Sequence, residues 1–309
     1  METKLSVIQN KKVKNIVETI ARWVFCIFAI VAIVAVFSIT IYMMILGTPA
    51  FLKVGVIELL FETEWKPTAQ TPVFGIFYVI LTSIVGTATA LSLGVPIGIL
   101  TAIFLAEVAD KRISAIVQPA VELLAAIPSV IYGLVGSMIL KPWMYEIEKN
   151  IFADSGGHQF TGGANLLSAI LVLAIMILPT VINISTSSIK AVQPALKSAS
   201  LALGATKIQT IFRVILPAAK SGIMTAVVLG LGRALGEAMA INMVAGGSVN
   251  LPLPFNSVRF LTTAIVSEMS YSEGLHRQVL FAIGLVLFAF ILFTNLILTR
   301  IVQKGDENR

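Results

Sequence analysis

Cysteine occurs once in this 309-residue chain, at Cys26, so no disulfide can form within it. The two histidines, His158 and His276, lie far apart in polar connections, and no Cys/His/Asp/Glu spacing reads as a metal site. A G-x-x-x-x-G-K-[ST] phosphate cradle is missing as well, so the chain is expected to bind no cofactor and to hydrolyse no nucleotide itself. Paired catalytic acids, or a nucleophile with a nearby histidine, are not found either, and this argues against an intramembrane enzyme. Charge is also scarce: 12% of residues are charged and 57% apolar, with a mean hydropathy of +0.93. Such a chain cannot cover a soluble domain with polar groups and reads as a multispanning membrane protein that contacts lipid.

What is abundant is long apolar sequence. Six runs predict spans at about 22–46, 74–106, 113–140, 164–187, 221–245 and 279–301, all within one membrane domain at 22–302. The fold class expected is an all-α, six-span helical bundle. The first run is longer than a signal-peptide core and is expected to be retained. Gly94, Pro96 and Gly98 interrupt the second run, which exceeds the hydrocarbon thickness and must tilt, kink or project. Pro119, Glu122 and Pro128 lie in the third; its freed carbonyls require a bundle or cavity to satisfy them. The loop 141–163 reads as flexible, with Asp154-Ser155-Gly156-Gly157 and Gly162-Gly163.

Lysine and arginine are unevenly spread among the connections. Fifteen of the 22 fall in 1–22, 107–112, 188–220 and 300–309, six fall in the other connections, and Arg233 lies within a span. By the positive-inside rule the richer side is cytoplasmic, so the N-terminal segment 1–21 and the tail 303–309 are both expected there. The basic balance thus reflects membrane orientation, and a nucleic-acid partner is not expected.

The chain is organised around its most basic connection, 188–220. Leu196, Ala199, Ala202 and Leu203 recur at helical spacing, Gly204 marks a stop, and Thr206 with Gln209 reads as a capping box. A second short helix carries Ile208, Ile211 and Phe212 on one side and ends near Leu216-Pro217. An apolar face in a water-exposed connection reads as a docking surface.

These residues carry a resemblance. Ser198-Ala199-Ser200, Gly204, Val214, Leu216 and Pro217 stand in the order of the EAA loop of bacterial ABC importer permeases, with Ser198 where the usual glutamate stands and Ser200 where the second alanine stands. "GLGRALGEAMAI" at 230–241 is similar to the phosphate-specific transport family. "ELLAAIPSVIYG" at 122–133, with "EWKP" at 64–67 and "FGIF" at 74–77, resembles its PstC-type permeases. The resemblance implies a type I (MetI-like) permease fold and import of inorganic phosphate across the cytoplasmic (inner) membrane. It implies three partners: a second, PstA-like permease, a PstB-like ATPase dimer that hydrolyses ATP, and an external PstS-like phosphate-binding protein. The coupling segment, with Ser198, Ala199, Gly204, Ile208, Ile211, Phe212, Leu216 and Pro217, would dock on the ATPase. Another oxyanion such as sulfate or molybdate is the alternative cargo, and an ATP-independent channel or transporter is the alternative machine.

Arg233 falls near the middle of the fifth predicted span, where insertion of an arginine costs about 2.5–3.5 kcal/mol unless protein, water or an anion compensates. Glu237, four residues on, is expected on the same helical face, either as a structural ion pair or as a clasp that holds the guanidinium until an anion arrives. The resemblance matches both residues to the family's transport-associated arginine and glutamate. Gly232 and Gly236 offer a small-x-x-x-small surface for a partner helix or for packing within the chain. Glu122 is a weaker pathway candidate.

Overall fold

In the computed structural model, residues 2–153 and 157–307 are described, with side chains described for 18–153 and 157–300. The expected flexibility at Asp154-Ser155-Gly156 and the side chains of the basic N-terminal segment up to residue 17 and of the tail 303–309 lie outside these limits.

Among the described residues the regular structure is helical, apart from one small hairpin and an isolated bridge between Gly246 and Val258. Helix α1 (Glu2–Val54) leads to the short α2 (Val56–Phe61), and then strands β1 (Trp65–Lys66) and β2 (Val73–Phe74) pair antiparallel, Trp65 opposite Phe74. The "EWKP" and "FGIF" stretches are therefore the two arms of one hairpin. Gly75 is fixed by sterics: a Cβ there would sit 2.3 Å from the Glu62 carbonyl oxygen. Beside it, the Thr63 N–H and then the Glu64 N–H donate to the Glu62 carboxylate and hold its pKa below the usual range.

Helix α3 (Phe77–Ile103) continues through a π-helical turn at Phe104–Val108. Gly94 and Gly98 do not interrupt it. A Cβ on either would stand 2.7 Å from Ile177 or Val181 of α7 (Leu166–Lys190), so these glycines let the two helices approach closely. Helix α7 is the core of the bundle: Asn165 caps it through the Ser168 N–H at 3.0 Å, and Leu173, Ile177 and Val181 are fully buried.

The third and fifth predicted spans are both broken. The third comprises α4 (Lys111–Ala126), α5 (Ser129–Val135), a π turn at Gly136–Leu140 and α6 (Lys141–Ile151), with a 96° bend at Ile127-Pro128. Pro128 has no N–H to give the Leu124 carbonyl four residues back, and the Tyr132 hydroxyl donates to that oxygen at 2.6 Å. Part of the expected 141–163 loop is thus the helix α6. Between the limbs of the bend, Leu124, Ile127, Tyr132, Val135 and Ile175 line an apolar cavity of about 460 Å³.

The fifth span begins at an elbow. Helices α8 (Pro194–Ala202) and α9 (Lys207–Thr210), a π turn (Ile211–Ile215) and α10 (Leu216–Ala218) precede a 68° bend at Ala219. Helix α11 (Lys220–Gly236) follows and stops at Glu237-Ala238, before the short α12 (Met239–Val244). Helices α13 (Leu261–Glu268) and α14 (Gly274–Glu307) complete the chain, and α14 packs along α1. Among the described residues, four helices are long and apolar enough to cross a membrane; counting each bent pair as one span gives six. Cys26 faces outward on α1.

Away from the 188–220 segment, Glu268 holds the other end of the bundle together. Its buried carboxylate accepts from Trp65 Nε1 at 3.1 Å, from the Arg259 guanidinium and from the His276 ring at 2.7 Å. Four separate segments therefore meet on one side chain. A similar hub, Glu148, is fully buried and takes the His158 ring, the Thr161 N–H and the Thr161 hydroxyl, each at 2.9 Å.

Candidate translocation and coupling sites

The break after Gly236 changes how Arg233 and Glu237 relate. Arg233 sits in the last turn of α11, where its charge complements the carbonyl end of the helix. Its Nη1 donates to Thr180 Oγ1 on α7 at 3.2 Å. Glu237 lies beyond the helix in extended backbone (φ −75°, ψ 128°), so the i, i+4 face expected of a continuous helix does not exist here. Its carboxylate instead accepts the Ala240 N–H at 2.9 Å and caps α12. The Glu237 carbonyl accepts the Thr262 hydroxyl at 2.7 Å, pinning the break from α13. No Arg233–Glu237 ion pair occurs among the described residues, so the expected clasp is replaced by two charges each tending one helix end.

A broken helix exposes backbone groups that the hydrocarbon core cannot satisfy, which is tolerated where the break lines a cavity or meets protein. The surface beside Arg233 is open: a Cβ on Gly232 or Gly236 would have no atom within 4 Å. Those two glycines therefore do not serve packing within this chain. Glu122 is elsewhere, exposed on α4, where it accepts from Gln118 Nε2 at 3.3 Å. The Lys190 ammonium donates to the same Gln118 amide oxygen at 2.8 Å.

The segment around Gly204 folds as helix, turn and helix. Gly204 has φ +86°, the Ala205 N–H donates to the Ser200 carbonyl and the Gly204 N–H to the Leu201 carbonyl, which together make a Schellman stop. Thr206 and Gln209 form the capping box. Across the turn, Ser200 Oγ and Thr210 Oγ1 lie 2.9 Å apart, and Lys197 pairs with Glu107 at the end of α3's π turn.

Its apolar face differs from the expected one at one position. Ile208 and Phe212 are exposed at 69% and 55%, but Ile211 is 4% exposed and packs with Ile189 and Ile215 inside the bundle. Ile211 lies about 60° round the helix from Ile208, and it and Ile215 both fall on the inner side. Leu203, at 88% exposed, takes the outer place beside Gly204. Leu216 is half-buried, while Ser198, Ala199 and Pro217 face out. The sequence reading missed Thr180 and Thr262, whose only signal was a hydroxyl after Pro179 in one apolar helix and a Thr pair opening another.

A helical membrane permease fold is defined by this arrangement of bent spans around a protruding helix-turn-helix. A bacterial alginate ABC transporter, solved in complex with an alginate-bound periplasmic protein, contains a chain that superposes with a TM-score of 0.64. That match covers 91% of this chain and 94% of the other, at 19% sequence identity. The model of the binding-protein-dependent transport system inner membrane component family matches residues 94–305, and the chain belongs to that family. It is 37% identical to a probable ABC transporter permease protein of Bacillus subtilis, YqgH, over 95% of this chain and 94% of that protein. It is also 33% identical to the phosphate transport system permease protein PstC of Haemophilus influenzae, over 94% of this chain and 96% of the other.

Proposed function

We propose that this chain is the PstC-like half of a permease pair that imports inorganic phosphate across the cytoplasmic membrane. A PstA-like permease completes the pathway, an external PstS-like protein delivers phosphate, and a PstB-like ATPase dimer hydrolyses ATP. The relatives named phosphate transport permeases support the cargo. The observation that carries the reading is Arg233 at a helix break, beside open glycine backbone and held by a neutral hydroxyl. A guanidinium bound to a hydroxyl can exchange that partner for a phosphate oxygen more readily than one locked to a carboxylate.

In this scheme Arg233 receives the anion, Glu237 keeps the break in shape by capping α12, and Glu122 lies farther along the route. The segment 188–220 faces the cytoplasm and presents Leu203, Ile208 and Phe212 to the ATPase around the Gly204 turn. Both termini then lie on the cytoplasmic side.

The test is ATP-driven uptake of radiolabelled phosphate in proteoliposomes holding the whole complex, native against Arg233→Gln, with sulfate and molybdate as competitors. Phosphate-selective uptake that disappears in an assembled Arg233→Gln complex supports the reading. Normal transport by that variant sinks the role of Arg233, and preference for a competitor replaces the cargo.

A further inference from the structure

Besides its buried hydroxyls Ser168, Ser185 and Thr186, helix α7 carries a stripe of more exposed polar groups. From the level of Arg233 it carries Thr180, Asn183, Ser187 and Lys190, which at 3.6 residues per turn fall within an arc of about 80°. Thr180 and Asn183 are half-buried, Ser187 and Lys190 exposed, while Val181, Ser185 and Ile189 on the opposite side are buried. The stripe therefore faces away from this chain's own core. It spans about 15 Å at 1.5 Å per residue, about half of a hydrocarbon core.

Lipid is an unsuitable neighbour for that stripe. The Asn183 amide has no protein partner among the described residues, and an unpaired amide in hydrocarbon costs several kcal/mol. The Ser187 hydroxyl folds back on the Asn183 carbonyl at 2.9 Å, which leaves its lone pairs outward. A dry helix–helix seam would favour small residues, and this stripe instead has a guanidinium at one end and an ammonium at the other. At the second end, Gln118 on α4 ties Lys190 to Glu122.

We propose that Thr180, Asn183, Ser187 and Lys190 form the wet inner half of the translocation path, with Gln118 and Glu122 as its opposite bank. Resting on the assignment of Arg233 to that path, this makes Lys190 a second basic station for the departing anion. Hydroxyl and amide groups replace part of the anion's hydration between the two cations. Glu122, across Gln118, keeps the anion from settling at Lys190.

Because Cys26 is the chain's one cysteine, Cys26→Ser gives a background for single-cysteine probes. Asn183→Cys, Ser187→Cys and, as a lipid-facing control, Leu296→Cys (61% exposed on α14) are placed in the assembled complex. Inside-out membrane vesicles are then treated with an anionic, membrane-impermeant methanethiosulfonate. Reaction at 183 and 187 about tenfold or more faster than at 296, slowed by saturating phosphate, is expected because thiolate forms only in water. Lys190→Gln is expected to lower kcat for uptake about three- to tenfold with KM little changed, and Lys190→Arg to restore it.

If the 183 and 187 thiols react no faster than the control, the stripe is packed against the second permease or lipid and the proposal is overturned, whatever Arg233 does. Wet thiols with a fully active Lys190→Gln complex overturn the second station. Normal uptake by Arg233→Gln is a separate failure, that of the reading beneath.

Discussion

The Arg233 guanidinium meets the Thr180 hydroxyl at 3.2 Å across α11 and α7, with the Glu237 carboxylate engaged elsewhere. Removing that hydroxyl without changing shape isolates its role. Thr180→Val should assemble normally and lose about tenfold in phosphate uptake, near the lower end of the about 1.5–3 kcal/mol expected for a hydrogen bond to a charged group. Thr180→Ser should retain uptake. Equal rates for valine and native complexes would show that the hydroxyl does not position Arg233.

Glu237 acts on α12 through an oxygen that accepts the Ala240 N–H. Glutamine keeps an acceptor there and alanine does not. Amide exchange across 238–244 should therefore rise in Glu237→Ala, by the equivalent of about 1 kcal/mol, and stay near native in Glu237→Gln. Exchange that rises equally in both would mean that charge, and not the cap, holds the break.

Ile208 and Ile211 sit three residues apart and should fail differently. Ile208→Asp leaves the bundle untouched and should lose the co-purifying ATPase. Ile211→Asp buries a charge among Ile189 and Ile215 and should lower the thermal stability of the permease itself. The reverse pattern would invert the assignment of the docking face.

Truncating Glu268 removes the partner of a largely buried Arg259 as well as the acceptor for Trp65 and His276. Glu268→Ala should cost about 3–5 kcal/mol, read as a fall in the Tm of the purified complex. A Tm within a degree or so of native would show the hub to be replaceable.

Glu62 is held below the usual carboxylate pKa by the Thr63 and Glu64 N–H groups. A depressed pKa contributes order that is present above the ordinary glutamate pKa and disappears as pH falls through the lower folded value. Exchange at the Thr63 and Glu64 amides should thus accelerate only in that acid range, and Glu62→Gln should abolish the pH step.

Much of the coupling segment was legible in the sequence, because caps are local: Gly204 and the Thr206/Gln209 pair act within a few residues, and their hydrogen bonds follow from spacing alone. The apolar runs were legible for the same reason. The breaks at Pro128 and Glu237 were not, since hydropathy is continuous across both. What stabilises them comes from Tyr132, and from Thr262, which stands 25 residues beyond Glu237. Ile211 was misplaced because Ile208, Ile211 and Phe212 spread over about 100° of helix, and spacing alone does not say which edge of that arc meets the bundle.

The elbow at Ala219 makes α11 a lever arm. One end is hinged to the segment proposed to meet the ATPase, and the other carries the guanidinium, 14 residues or about 21 Å away. A swing of about 10° at that pivot would sweep the Arg233 end through about 4 Å, more than a hydrogen-bond length. Such a stroke would part Arg233 from Thr180 with no rearrangement inside α11, turning a small angular change into a guanidinium free to take another partner.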